Sequence, residues 1–210
     1  DGQLNRKKPQ PAESKFIRYA HDPADPHSMI DNRYIQALFE DRAGSIWIGY
    51  RMAGINRFDR NTEKFTNYKQ KPYDTNSLNN NNVMVVFEDR TGILWIGTMG
   101  GGLNRFDRNS GDYTHFRHDP EDNTTISSNN VLAIIEDPDD GENILWIGTN
   151  RGLNRFNIKE GEFETYLNRH SIWNITIDKY KNLWLATHTA GLLEFDPRNL
   201  SYSKYQVDPQ

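Results

Sequence analysis

The chain has 210 residues, 35% of them apolar and 12% aromatic, with a formal net charge of −4 spread over interspersed acidic and basic residues. That balance offers no basic stripe to nucleic acid or an anionic membrane, and the absence of cysteine excludes disulfides and thiolate zinc sites. No apolar run approaches the roughly 18 residues of a membrane span, and the opening DGQLNRKKPQ does not read as a signal peptide.

In chain order, Gly2-Gln3-Leu4-Asn5-Arg6 reads as a strand, and Phe16 with Tyr19 as an outer strand carrying two aromatics. A longer unit then recurs. It ends as AGINRFD at Asp59, GGLNRFD at Asp107, RGLNRFN at Asn157 and AGLLEFD at Asp196. Ten or eleven residues before each Phe stands a tryptophan: Trp47, Trp95, Trp146 and Trp184. Seven and ten residues after it come paired aromatics: Phe65 and Tyr68, Tyr113 and Phe116, Phe163 and Tyr166, Tyr202 and Tyr205. Recurrence at 38 to 51 residues is the mark of a repeat architecture.

The second unit shows the grammar. Val83, Val85 and Phe87 alternate with Met84 and Val86, the period of a strand rich in β-branched residues. Glu88 to Gly92 turns the chain, with Gly92 supplying the positive φ of a tight hairpin. A second strand, Ile93 to Thr98, carries Trp95, and Gly100-Gly101-Gly102 reverses it into a third, Leu103 to Phe106. Asp107 to Gly111 turns again into a fourth, Tyr113 to Phe116. Four short antiparallel strands in about 48 residues make one propeller blade. The expected fold is therefore all-β: an outer half-blade at 1–20 and blades at 21–68, 69–117, 118–166 and 167–206. Four and a half blades do not close a ring, so the expectation is an arc of a larger propeller, or one completed by a second chain.

Glycines, Trp and Phe read as turn and packing residues of the blades. The repeated Asn-Arg pair (Asn104 and Arg105 in the second unit) is expected to bond a turn or face a neighbouring blade; the last unit has Leu193-Glu194 instead. The polar linkers HDPADPHS from His21, KPYDTNS from Lys71 and HDPEDNTT from His118 are turn-rich crossings between blades. Their aspartates also suggest calcium, but no Asp-x-Asp-x-Asp-Gly loop is present, and turn formation is the stronger expectation. The linker before Trp173 is shortened to LNRHS.

The pattern ED-R-x-G-x-(I/L)-W-I-G-T-x-G-G-L-N-R-F-D followed by F-x-x-Y, best seen from Glu88 to Asp107, resembles the two-component regulator propeller repeat over essentially the whole chain. The resemblance implies seven-bladed propellers, often in tandem. It also implies the extracytoplasmic sensor region of hybrid histidine kinases, on the periplasmic or extracellular side of a bacterial inner-membrane receptor, frequently tied to carbohydrate sensing. Departures occur at Asp137 to Asn143, where the third unit inserts residues. They occur again at Asp178 to Asn182, and at Trp184-Leu185-Ala186-Thr187, which replaces Trp-Ile-Gly-Thr.

Loops that enter the first strand and join the second to the third share one propeller face, and residues there that break the repeat are the ligand candidates. Entering the first strand, Asn81 and Asn82, and Asn129 and Asn130, are replaced in the first unit by Arg33 and Tyr34; the fourth offers His170 and Trp173. The other loops vary as Tyr50 and Arg51, Met99, Asn150 and Arg151, and His188. The binding set is thus Arg33, Tyr34, Tyr50, Arg51, Asn82, Met99, Asn130, Arg151, Trp173 and His188. Such groups around a funnel suit a sugar or an acidic oligosaccharide, whose CH faces stack on rings while hydroxyls or carboxylates pair with polar groups. Trp173, in phase with Val83, alternatively plugs the space between blades, and Arg51 and Arg151 alternatively are solvated.

Catalysis is not expected. Nucleophile elbow and phosphate loop are absent, and Asp41, Asp89 and Asp137 recur with the hairpins as caps. The Asp-x-x-Gly-x-x-Trp hairpin resembles the structural Asp-box of sialidases. No cofactor or metal is expected; a propeller lyase would need His170, His188 and a glutamate to converge. The resulting expectation is a ligand sensor passing its signal to downstream domains, with self-association as a way of completing the ring. A protein–protein scaffold is the alternative.

Overall fold

The computed structural model describes residues 17–31, 33–140 and 143–205. Its sixteen strands form four antiparallel sheets of four, each in sequential order, with no helix among the described residues. Blade 1 contains β1 (Ile35–Glu40), β2 (Ile46–Tyr50), β3 (Gly54–Asp59) and β4 (Lys64–Tyr68). Blade 2 contains β5 (Val83–Glu88), β6 (Leu94–Thr98), β7 (Gly102–Phe106) and β8 (Tyr113–Phe116). Blade 3 contains β9 (Val131–Glu136), β10 (Ile144–Thr149), β11 (Gly152–Asn157) and β12 (Glu162–Tyr166). Blade 4 contains β13 (Ile172–Ile177), β14 (Leu183–Thr187), β15 (Leu192–Asp196) and β16 (Ser201–Tyr205). The half-blade expected from Gly2–Arg6 and Phe16 lies outside the described residues. Tyr19 is described, and its ring packs 4.8 Å from Phe58 and 5.6 Å from Phe65.

Each first hairpin is closed by one aspartate with two tasks. One carboxylate oxygen accepts backbone N–H groups of the turn, Ser45 in blade 1, Ile93 in blade 2 and Asn182 in blade 4. The other accepts the indole N–H of the repeat tryptophan: Asp41 from Trp47 at 2.8 Å, Asp89 from Trp95 at 2.8 Å, Asp137 from Trp146 at 2.7 Å and Asp178 from Trp184 at 2.9 Å. A buried indole requires such a partner, so the repeated Asp and Trp form one structural device. Even the insertion in the third unit leaves it intact.

Trp47, Trp95 and Trp146 are fully buried because each meets the Phe of the next blade edge-on: Phe106 at 5.6 Å, Phe156 at 5.6 Å and Phe195 at 5.3 Å. The glycine two residues after each of these tryptophans lets the next inner strand come close. A Cβ on Gly49 would stand 2.6 Å from Val83 Cγ1, and one on Gly97 2.5 Å from Val131 Cγ1. A Cβ on Gly148 would stand 2.8 Å from the carbonyl oxygen of Ile172. Inner strands accordingly pack β1 on β5, β5 on β9 and β9 on β13. Ala186 occupies the glycine position in blade 4, where it is exposed and Trp184 is only partly covered. At the other end Leu38 on β1 is 68% exposed.

The buried Asn of the Asn-Arg pair pins the linker of its own blade. Asn56 Oδ1 accepts Ile30 N–H at 2.9 Å, Asn104 Oδ1 accepts Asn79 N–H at 3.3 Å and Asn154 Oδ1 accepts Ser127 N–H at 2.9 Å. Asn104 and Asn154 also donate to the carbonyls of Ile96 and Ile147 on the neighbouring strand. In blade 4 the linker is too short to need a pin, and Leu193 fills the site as a buried apolar residue. Linker aspartates are engaged in their own turns: Asp25, Asp74 and Asp122 accept the N–H groups of His27, Asn76 and Thr124.

Candidate functional site

The mouth of the axial channel is built by one backbone hydrogen bond repeated in every blade. The first residue of the loop between the second and third strands donates its N–H to the carbonyl of a residue entering the first strand. Arg51 bonds Tyr34 at 2.9 Å, Met99 bonds Asn82 at 2.8 Å, Asn150 bonds Asn130 at 3.3 Å and His188 bonds Ser171 at 3.1 Å. Eight residues are thereby set at one rim, and the repeat leaves their side-chain chemistry free.

The guanidinium carbon of Arg51 lies 5.9 Å from the Tyr34 ring centroid, a cation–π pair at an exposed site. Tyr34 is 66% exposed and holds a φ of 51°, a left-handed backbone that an aromatic residue rarely adopts. Arg33 is exposed, with its Nε 3.3 Å from the Asp31 carboxylate. Asn82 presents a buried Oδ1 without a hydrogen-bond partner. Arg151 sits exposed in its turn, its N–H donating to Thr149 Oγ1 at 3.0 Å. In blade 4, His188 lies 6.2 Å from Trp173, centroid to centroid.

Two expectations need correction. Tyr50 is not a rim residue: it is fully buried at the end of β2, and its hydroxyl donates to Asn56 Oδ1 at 2.9 Å. Burial, and then the nearby charge of Asp31, pushes its phenol pKa up. It occupies the place of Thr98, Thr149 and Thr187, whose hydroxyls close the following turn by donating to the carbonyls of Gly102, Gly152 and Gly191. Trp173, in turn, is not in phase with Val83. Ile172 pairs with Thr187 as Val83 pairs with Thr98, and Trp173, 47% exposed, plugs nothing between blades.

Trp173 is displaced by a β-bulge, and every blade has one there. The register slips between Ile35 and Ala37, Val83 and Val85, Val131 and Ala133, and Ile172 and Asn174. The bulged residues Gln36, Met84, Leu132 and Trp173 all line a single cavity of about 350 Å³ between the four inner strands. Below them it is lined by Leu38, Val86, Ile134 and Ile175, and no charged side chain takes part. Gln36, Met84 and Leu132 were not recognised from sequence, because a bulge shifts the alternation by one residue without requiring any particular side chain. Their one signal is that this position varies as Gln, Met, Leu and Trp while the residue before it is always Ile or Val.

Further clefts, such as one of about 440 Å³ lined by Thr91, Arg105 and Asp107, lie on outer strands among capping residues such as Asp107, which accepts Asn109 N–H at 2.7 Å. Among the described residues, no three His, Cys, Asp or Glu side chains are grouped to hold a metal.

A family model described as two component regulator propeller matches residues 28–51 and 77–100. These two stretches carry the two-component regulator propeller repeat. Each matched stretch runs from a linker serine through the first two strands of a blade to the rim. Among solved structures, the four blades resemble the extracellular domain of a putative hybrid two-component system protein of B. thetaiotaomicron. That match has 23% identity and a TM-score of 0.75 over 84% of this chain and 25% of that one. A second extracellular domain from the same organism, assigned to a one-component system, gives 25% identity and a TM-score of 0.68 over 81% of this chain and 25% of that chain. Virginiamycin B lyase from Staphylococcus aureus matches at 17% identity, TM-score 0.61, over 83% of this chain and 56% of that chain. These likenesses establish the propeller fold. The chain spans about a quarter of the length of the two extracellular domains. No curated protein matches it.

Proposed function

We propose that this chain is a ligand-recognising part of the sensor region of a bacterial two-component-type receptor, acting by binding rather than by chemistry. The observation that carries this reading is the rim. One backbone hydrogen bond repeated in four blades sets eight residues around the channel, and Tyr34, Arg51 and His188 place rings beside hydrogen-bond donors there. Rings beside donors are what a saccharide needs: CH faces stack, hydroxyls or carboxylates pair. Residues 21–68, 69–117, 118–166 and 167–206 serve as the four blades, on the extracytoplasmic side of the membrane. A ligand touching several blades favours one arrangement of them over another, and the shift passes to downstream domains or through self-association of blade ends.

Melting of the purified chain against neutral and acidic oligosaccharides, followed by calorimetric titration of any that stabilise it, tests the reading. Binding lost in Arg51→Ala and His188→Ala variants of unchanged melting temperature is the expected result. Binding that ignores both variants would move the function to another surface, and a scaffold would bind none of the sugars.

A further inference from the structure

We propose that the four bulge residues form a subsite for an uncharged sugar ring, deeper in the channel than the rim and setting ligand choice; the proposal rests on the rim being a saccharide site. Three observations combine. The same bulge recurs at the same place in all four inner strands, and bulges re-aim a side chain that a regular strand would turn away. The re-aimed residues share one cavity of about 350 Å³, within the range of small-molecule sites. Finally, the repeat preserves the bulge while varying its residue as Gln36, Met84, Leu132 and Trp173.

The lining defines the occupant. A cavity without a charged wall penalises a carboxylate or sulfate, since burying an unpaired charge is strongly unfavourable. Trp173 offers an exposed indole face for a ring of CH groups, with Leu132 and Met84 completing the apolar wall. Gln36 and Asn174 supply amides that both donate and accept, as vicinal hydroxyls require. Acidic groups of a longer ligand are left to Arg51 at the rim, so the two levels select different parts of one molecule.

Acrylamide quenching tests this directly. Trp47, Trp95 and Trp146 are fully buried and Trp184 is partly covered, whereas Trp173 is 47% exposed. The full chain would be quenched with and without saturating maltotriose, cellotriose, triacetylchitotriose or trigalacturonate. At least one neutral trisaccharide should protect the exposed component in wild type and in Trp184→Phe, and protect nothing in Trp173→Leu. Gln36→Leu should weaken that binding by about tenfold, the loss of one or two hydrogen bonds. Gln36 and Trp173 are exposed, so these variants should melt as wild type does.

The subsite is refuted if trigalacturonate protects Trp173 as well as the neutral sugars do. It is also refuted if neutral sugars bind in an Arg51-dependent way while Trp173 stays quenchable; that outcome leaves the rim reading standing. No binding of any probe overturns both.

Discussion

Replacing Gly97 by alanine puts one methyl group into the contact between blades 2 and 3. Its carbon would lie 2.5 Å from Val131 Cγ1 on the next blade and 2.5 Å from Val85 Cγ1 on its own. Carbons in contact prefer about 3.5–4.0 Å, so each methyl must retreat by about 1 Å. Both belong to valines, whose branched Cβ leaves little choice of rotamer, so the strain falls on the sheet spacing. Overpacking of this kind costs about 1–3 kcal/mol. At roughly 2–4 °C per kcal/mol for a chain of this size, melting should fall by about 2–12 °C in a circular-dichroism scan. Val131→Ala removes the offending methyl on the next blade and leaves that of Val85, so the double variant should be more stable than the summed single effects by at least about 0.5 kcal/mol. Gly97→Ala melting as wild type, or strict additivity in the cycle, would refute this account of how blades are stacked.

Other positions make equally direct predictions. Burial alone would push the Asp41 carboxyl up, but hydrogen bonds from Trp47, Arg108 and the Ser45 N–H outweigh it and hold the pKa below its usual value. A lowered folded pKa gives stability that is present above the unfolded value of about 3.9 and is lost as pH falls through the folded one. Arg108 lies 2.7 Å from that carboxylate, so Arg108→Gln should move the acid-unfolding midpoint upward and cost more stability at pH 7 than at pH 3 in urea titrations; equal losses would contradict this. Asn104→Ala removes the bond to Ile96 and leaves the Asn79 N–H without its acceptor, a loss of about 2 kcal/mol by chemical denaturation. Glu63 has a φ of 56° where Gly111 and Gly161 have 81° and 76°. Glu63→Gly should therefore raise stability by about 0.5 kcal/mol, the left-handed strain relieved less the entropy of glycine.

The blades were legible because their determinants are local and repeated. Trp95 and Gly97 sit at the ridge and notch of one contact, Gly92 at a turn only glycine enters easily, and Asp89 at the cap that also anchors the indole. Copying such a device four times writes it into the spacing. Partners that are distant in sequence were less visible: Asn104 could be expected to bond a turn or a neighbour, while its engagement of Asn79 depends on where the linker crosses. Its replacement by Leu193 becomes intelligible only beside the shortened linker. Most of the rim was legible as departures from the repeat, Tyr34, Arg51 and His188 among them. Tyr50 was misplaced because its departure in side chain conceals an unchanged strand position, equivalent to Thr98. The bulge tier was invisible, since its cause is a slip in backbone pairing that Gln36, Met84, Leu132 and Trp173 accommodate equally.

A binding surface at the channel, rather than on the outer strands, is the centre of the functional account. Hydrogen–deuterium exchange of the full chain, with and without the trisaccharide that most raises its melting temperature, locates that surface without prior choice of residue. Protection should concentrate where β1, β5, β9 and β13 begin, and in the loops beginning at Arg51, Met99, Asn150 and His188. Protection confined to β4, β8, β12 and β16, at the outer edge of the blades, would contradict the account and place recognition on the rim of the arc.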